Sequence, residues 1–322
     1  MGVQRLRDLT AELAELFAAL TPEAQTQRLL ELLTIAQKSS GNRKPVLAVG
    51  RDGITLRDYC YGFFENATVG TITVYDRAGN RLGTVYLGFV PELGQHTLTA
   101  RLTALIEAVL RGWEGPLPRL CYVTDAGDEE TKYYYRVLRQ MKHPRTGEKL
   151  VWTRIIDYYH ASKRIWAMAE SLFGKDEQAA RAWALRMCRL LKKPGGVRRV
   201  LYSAAALRSR RKLPKARGAE YRKAYRYLQK RTRQMRYHEY QQQHLPIGSG
   251  ITEAACKTVV TQRLKLSGMR WQKANAQKIL DLRVVFLSGI WDKVYRMLLD
   301  SANPYTLRTY GESSTPRLHQ AA

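Results

Sequence analysis

Cysteine is scarce in this chain. There are four in 322 residues, Cys60, Cys121, Cys188 and Cys256, and no two have the spacing of zinc ligands, so they read as reduced intracellular thiols. Long apolar runs are missing too. None approaches the length that crosses a bilayer, and Leu6 stands where a myristoylation signal needs Ser or Thr. The expectation is a soluble cytoplasmic protein with no membrane partner. Acidic residues are few: 28 Asp and Glu against 54 Lys and Arg, a formal net charge of +26 and a pI near 10.1. A polyanion is the natural partner for such an excess, because phosphate backbones bind basic surfaces with release of counterions. The 19 Tyr and 6 Trp either stack on bases or fill the core, and the core is their commoner place. At this length the chain can bury a sizeable core, as one large domain or two smaller ones.

Along the chain, residues 4 to 38 carry leucines at helical spacing with a break at Thr21-Pro22, which predicts two amphipathic helices before a linker at Ser39 to Asn42. Val46 to Gly50 reads as a buried strand with Asp52 just beyond its carboxyl end. Val69–Tyr75 and Leu82–Phe89 form a hairpin about Asp76 to Asn80. A helix over Thr97 to Leu110 is followed by a buried strand, Leu120 to Val123, that ends in Thr124-Asp125. Asp128 to Met141 reads as a helix, Leu150 to Ile156 as a fifth strand, and Asp157-Tyr158-Tyr159-His160 follows at once. The pattern is α/β: a mixed five-stranded sheet begun by a hairpin, with helices around it. If the first and fourth strands are neighbours, Asp52 and Asp125 lie side by side, and two adjacent carboxylates call for a cation such as Mg²⁺.

From Ala161 the chain turns helical and basic. Between Arg198 and Arg236 there are fifteen Lys or Arg and one acid, Glu220, interleaved with Tyr221, Tyr225, Tyr227 and Tyr237. We read this stretch as a helical nucleic-acid-binding insertion, with Arg198, Arg199, Arg208, Arg210, Arg211, Lys212, Arg222 and Lys223 as candidate contacts. After it comes Gly248-Ser249-Gly250, a flexible turn, then a helix in which Thr252 is positioned as a cap and Glu253 sits in the first turn. Lys257, Arg263 and Lys265 extend the basic candidate nucleic-acid contacts beyond Glu253, and Arg270 and Trp271 of Gly268-Met269-Arg270-Trp271 either contact or stack on DNA or form a helix-breaking turn with a packed Trp. Asp52, Asp125 and Glu253 together have the layout of a two-metal phosphoryl-transfer site. Glu253 as a plain helix-terminal charge is the bland alternative, as is Asp157 as an N-cap with a structural His160.

Asp52-Gly53, Tyr122-Val123-Thr124-Asp125, Ile155 to Ala161, and above all Gly248-Ser249-Gly250 through Gly268-Met269-Arg270-Trp271 resemble the DDE transposases of bacterial insertion sequences, the ISKra-type branch among them. The resemblance covers about residues 45 to 290. It implies a ribonuclease H-like catalytic domain in two parts, 45–160 and 246–300, with the helical insertion at 161–245, an N-terminal helical segment at 1–40 and a flexible tail at 301–322. It implies Mg²⁺ or Mn²⁺, two ions held by Asp52, Asp125 and Glu253, and an auxiliary role for Asp157 and His160. The implied activity is DNA transposition, an endonuclease and strand-transfer recombination on double-stranded transposon ends and target. A homodimer or higher oligomer associated with a bacterial nucleoid would carry it out. One motif departs from the family: the second acid is usually followed by Gly, whereas here Asp125-Ala126-Gly127 precedes Asp128-Glu129-Glu130, so Asp125 and Asp128 both remain candidates, with Asp125 favoured by its place at the strand end. A ribonuclease H-like nuclease without strand transfer, and a non-enzymatic nucleic-acid-binding protein with relic acids, are the competing readings.

Overall fold

The computed structural model describes residues 2–57 and 64–302. Cys60 and the tail from 303 onward lie outside the described residues.

The chain opens with helix α1 (Val3–Lys38), then forms β1 (Val46–Arg57), β2 (Phe64–Tyr75), β3 (Arg81–Phe89), α2 (His96–Gly112), β4 (Arg119–Thr124), α3 (Asp128–Tyr133) and β5 (Trp152–Ile156). Next come α4 (Tyr158–Phe173), α5 (Glu177–Leu191), α6 (Gly196–Ser209), α7 (Lys215–Lys230), α8 (Tyr237–Gln242), α9 (Gly250–Ala255), α10 (Gln262–Leu264), α11 (Lys273–Leu287) and α12 (Trp291–Ala302). The five strands form one mixed sheet in the order β3-β2-β1-β4-β5. β1 pairs antiparallel with β2, β2 antiparallel with β3, and β1–β4 and β4–β5 are parallel.

Strand alternation sorts the core into two faces. Leu47, Val49, Ile72, Val85 and Tyr122 face α1 and α2, while Val46, Ala48, Cys121, Val123 and Ile155 face α4. The basic helical stretch does not stand apart from the sheet. Trp183, Val200, Ala224 and Tyr237, from α5 to α8, share one continuous core with that second face. Further along the same face, Ala67 and Val69 pack under Ala255, Val259 and Leu280 of α9 to α11.

The expected break at Thr21-Pro22 does not occur. α1 runs through Pro22 unbroken, because Phe17 on one side of the proline and Ala24 on the other are both buried in a single cluster with Val285, Ile290 and Val294. Burial of a common face on α11 and α12 outweighs the lost amide, a cost of ~3 kcal/mol in a helix interior.

Candidate active site

β1 is longer than its apolar run suggested. It continues to Arg57 against β2, with Asp52 opposite Val69, so Asp52 lies within the strand and not at its end. The parallel neighbour does stop early: the last registered pair is Gly50 with Val123, and β4 ends at Thr124. Asp52 and Asp125 therefore stand two residues beyond the same pair, on the α4 and α9 face of the sheet. Each is fastened locally, Asp52 Oδ1 accepting from the Gly53 amide at 2.7 Å and Asp125 Oδ1 from the Gly127 amide at 2.9 Å. Burial pushes the Asp52 carboxyl above its usual range, and the charge of Asp125 pushes it the same way. Asp128 is exposed at the start of α3. Geometry thus separates the two candidates, with Asp125 in the cluster and Asp128 outside it.

Glu253 arrives over this face by close packing. Gly50 has no side chain, and a Cβ there would lie 2.0 Å from Thr252 Oγ1 and 2.7 Å from Thr71 Oγ1. Thr252 does not cap its helix, since its hydroxyl is buried in a 2.8 Å hydrogen bond with Thr71 on β2. Nor do Gly248 and Gly250 make a left-handed turn, as neither has a positive φ. The turn is held instead by Asp157, whose Oδ1 accepts from the Ser249 amide at 2.8 Å.

Asp157 is fully buried and serves three groups. Its Oδ2 caps α4 through the His160 amide at 2.8 Å and meets His160 Nδ1 at 2.8 Å. Burial would raise this carboxyl, but the hydrogen bonds from the His160 ring and from the Ser249 and His160 amides outweigh it and hold it below the usual range. The same bond to Asp157 raises the His160 imidazole above its ordinary value, and burial opposes it. Both bland readings of this pair are present, N-cap and ring anchor, but His160 does more: Glu253 Oε1 lies 3.3 Å from its Nδ1. The Nδ1 proton belongs to the shorter contact with Asp157, which leaves Glu253 Oε1 buried without a hydrogen-bond donor. Among the described residues, Asp157, His160 and Glu253 form the group of three whose donor atoms all lie within 4.8 Å and could hold a metal ion. The expected trio of Asp52, Asp125 and Glu253 is looser than this. It is bridged by Cys256, whose thiol contacts Asp52 Oδ2 at 3.5 Å one helical step after Glu253, and by His160, which feels the charges of Asp125 and Asp52.

The sequence pattern overlooked three participants. Glu130, in the first turn of α3, is 7% exposed, and burial followed by the charges of Asp125 and Asp52 pushes its carboxyl up to about 7. It is the third residue of the Asp128-Glu129-Glu130 run, and only the direction of α3 picks it out. Tyr227 donates its hydroxyl to the Asp125 carbonyl at 2.6 Å, and Arg231 donates to the Ala126 carbonyl at 3.2 Å. The turn they hold is strained, because Ala126 has φ +62, a left-handed conformation that costs a non-glycine residue ~1–2 kcal/mol.

The basic residues divide by what they touch. Arg211 lies over the Phe173 ring and donates to the Leu172 carbonyl, tying the end of α6 to α4, and Arg208 donates to the Arg211 carbonyl to close that end of α6. Arg198, Arg199, Arg210, Lys212, Arg222, Lys223, Lys257, Arg263, Lys265 and Arg270 are exposed. Trp271 is half-buried against the cluster under α11, and of the interleaved tyrosines Tyr225 and Tyr227 are also half-buried. Tyr221 and Tyr237 are buried, Tyr237 with its hydroxyl on the Ile156 carbonyl, because this region closes the sheet's core. No helix among the described residues is long and apolar enough to cross a membrane. No protein-family model and no curated protein matches the chain.

Proposed function

We propose that the chain is a metal-dependent DNA transposase of the DDE kind, with a ribonuclease H-like catalytic domain interrupted by the helices of 161–245, acting as a dimer or higher assembly on two DNA ends. The observation that carries the reading is the register: Asp52 within β1 and Asp125 just past the end of β4 each follow the Gly50–Val123 pair by two residues, and Glu253 is brought over the same face by the close packing of Thr252 on Gly50. The strand order and the sequence motifs around Asp125, Asp157 and Glu253 support it.

The donor set suits Mg²⁺ or Mn²⁺. All three acids offer hard oxygen, Glu253 Oε1 is buried without a donor, and the like charges of Asp52 and Asp125 oppose one another until a cation separates them. Asp52, Asp125 and Glu253 would hold two such ions, which would supply activation of an attacking water or 3′-hydroxyl and stabilisation of the leaving oxygen. The chain's own groups prepare that site. Asp157 fixes the Ser249 amide, and with it the start of the helix that carries Glu253. The same carboxylate orients the His160 ring beside Glu253. Tyr227 and Arg231 hold the Asp125 turn in its strained conformation.

The test uses precut DNA from the flanks of the reading frame, a target plasmid and Mg²⁺ or Mn²⁺. Joined products are expected, and each of Asp52→Asn, Asp125→Asn and Glu253→Gln should abolish them. Cutting without joining would make the protein a nuclease, and wild-type activity in all three variants would end the enzymatic reading.

A further inference from the structure

The basic residues are not spread evenly, and one group of them, four exposed and two half-buried, gathers beside the Asp125 turn. Arg164 of α4, together with Arg222, Lys223, Arg226 and Lys230 of α7 and Arg231 at its end, lines a groove of about 460 Å³ that Tyr227 also borders. Residues 222, 226 and 230 form one row at helical spacing and 223, 227 and 231 the next. Successive members of a row are about 6 Å apart along the axis, four residues at 1.5 Å each, close to the step between phosphates on a strand. The Tyr227 ring lies between two guanidiniums, Arg164 at 4.8 Å and Arg231 at 4.3 Å from its centre. None of the six cations pairs with a carboxylate among the described residues. Six like charges held together in this way are costly without an anion. The groove is joined to the site, since Tyr227, one of its lining residues, donates its hydroxyl to the Asp125 carbonyl.

We infer that this α4–α7 groove seats the phosphodiester backbone of the nucleic-acid strand that enters the acid cluster, and that Tyr227 and Arg231 join the occupied groove to the Asp125 turn. The inference rests on the reading under Proposed function for what happens to the strand, but the binding itself does not need it. It singles out α7 over the run from Arg198 to Lys212, where Arg208 and Arg211 are spent on internal contacts. A backbone seat carries no sequence preference, so base recognition lies elsewhere.

The experiment measures binding of a short fluorescein-labelled duplex of arbitrary sequence, and separately of one of its strands, by anisotropy in EDTA over a salt series. The variant Arg222→Ser/Arg226→Ser/Lys230→Ser changes only exposed side chains, and near-unchanged circular dichroism and thermal unfolding establish that it folds. Neutralising three phosphate contacts should flatten the slope of log K against log salt by ~2–3 and weaken binding by roughly tenfold or more at ~0.1 M salt. The control Arg198→Ser/Arg199→Ser/Arg210→Ser removes the same charge from α6 and its end, and should keep the parent slope. Equal losses in the two triples, or parent-like binding by the α7 triple, would overturn the groove. Divided by ~0.9 per phosphate for the duplex and ~0.7 for the strand, the slope change that gives the larger number of lost contacts assigns the seat to that form of DNA. If the parent joins DNA while the α7 triple binds normally, the groove fails and the transposase reading survives. If the α7 triple loses binding but the parent never cuts DNA, the groove stands and the activity fails.

Discussion

Replacing Gly50 by alanine tests how Glu253 is placed. The new Cβ would sit 2.0 Å from Thr252 Oγ1 and 2.7 Å from Thr71 Oγ1, where ordinary contact begins near 3.4 Å. Neither threonine can rotate away at no cost, because their hydroxyls are buried in a bond to each other. β1 and α9 must separate by more than an ångström, or the pair must break. Overpacking of this size costs ~1–3 kcal/mol, and a lost buried hydrogen bond adds about 1 kcal/mol. A total near ~3 kcal/mol lowers Tm by roughly 4–5 °C, at ~1.5 °C per kcal/mol for 322 residues that each contribute ~2.1 cal/mol/K of unfolding entropy. Activity should fall more steeply than stability. Glu253 follows Thr252 directly, and a misplacement of about 1 Å can cost ~10²-fold in rate. Thermal unfolding and DNA joining would both be measured, alongside the double variant Gly50→Ala/Thr252→Ala, in which the nearest clashing atom is gone. The double variant should recover part of the activity that Gly50→Ala loses. A Gly50→Ala protein with parental Tm and parental joining would refute the packing argument, and an unimproved double variant would show that the damage arises elsewhere.

Glu130→Gln should stabilise the metal-free protein at alkaline pH. Because burial raises this carboxyl from the normal range to about 7, the folded state holds a proton that the unfolded state has released, so stability falls as pH rises between about 4.5 and 7. The glutamine escapes that loss, by up to ~3 kcal/mol at pH 8 and by nothing near pH 4; a constant difference in urea midpoints across pH would contradict it. His160→Gln has the opposite signature. A raised imidazole contributes stability that is complete below its unfolded value and lost as pH climbs through the folded one, so this variant's deficit should be largest in acid and shrink toward alkaline pH. Pro22→Ala restores an amide in the middle of α1 and should stabilise by about 2 kcal/mol, the ~3 kcal/mol helix penalty less the rigidity proline gives the unfolded chain. No gain in a denaturant titration would mean that the helix does not strain around Pro22. Tyr227→Phe keeps the ring between its two arginines and removes only the bond to the Asp125 carbonyl, at about 1 kcal/mol. Turnover should drop while DNA affinity in EDTA holds, and a matching loss of affinity would count against a positioning role.

The sheet was legible because its signals are local. β-branched runs, the Asp76 to Asn80 turn and short buried strands each state their own geometry, and the Asp76 carboxylate does cap that turn through the amides of Ala78 and Asn80. What could not be read was set by distant partners. The length of β1 beyond Gly50 depends on β2 continuing alongside it, and the passage of α1 through Pro22 depends on α11 and α12, more than two hundred residues away.

The site divides in the same way. Asp52, Asp125 and Glu253 could be named because acids are few in so basic a chain and each stands beside an apolar run or a glycine turn in the sequence, although Asp52 proves to lie inside β1. Their surroundings had no such contrast. Glu130 looks like a helix-starting acid beside Asp128 and Glu129, and its difference from them is purely orientational: it turns inward toward Asp125 while Asp128 stays in water. Tyr227 belongs to a row of tyrosines suggestive of base stacking, yet its neighbours Tyr221 and Tyr237 are buried and only Tyr227 reaches the acid turn. A tyrosine on a basic helix carries the same sequence signal whether it meets a base, a core or a carbonyl. What separates them is the face of α7 that α4 leaves open, and that face is settled by the apolar stripe of Gly218, Tyr221, Ala224 and Leu228, which commits the opposite side of the helix to the core.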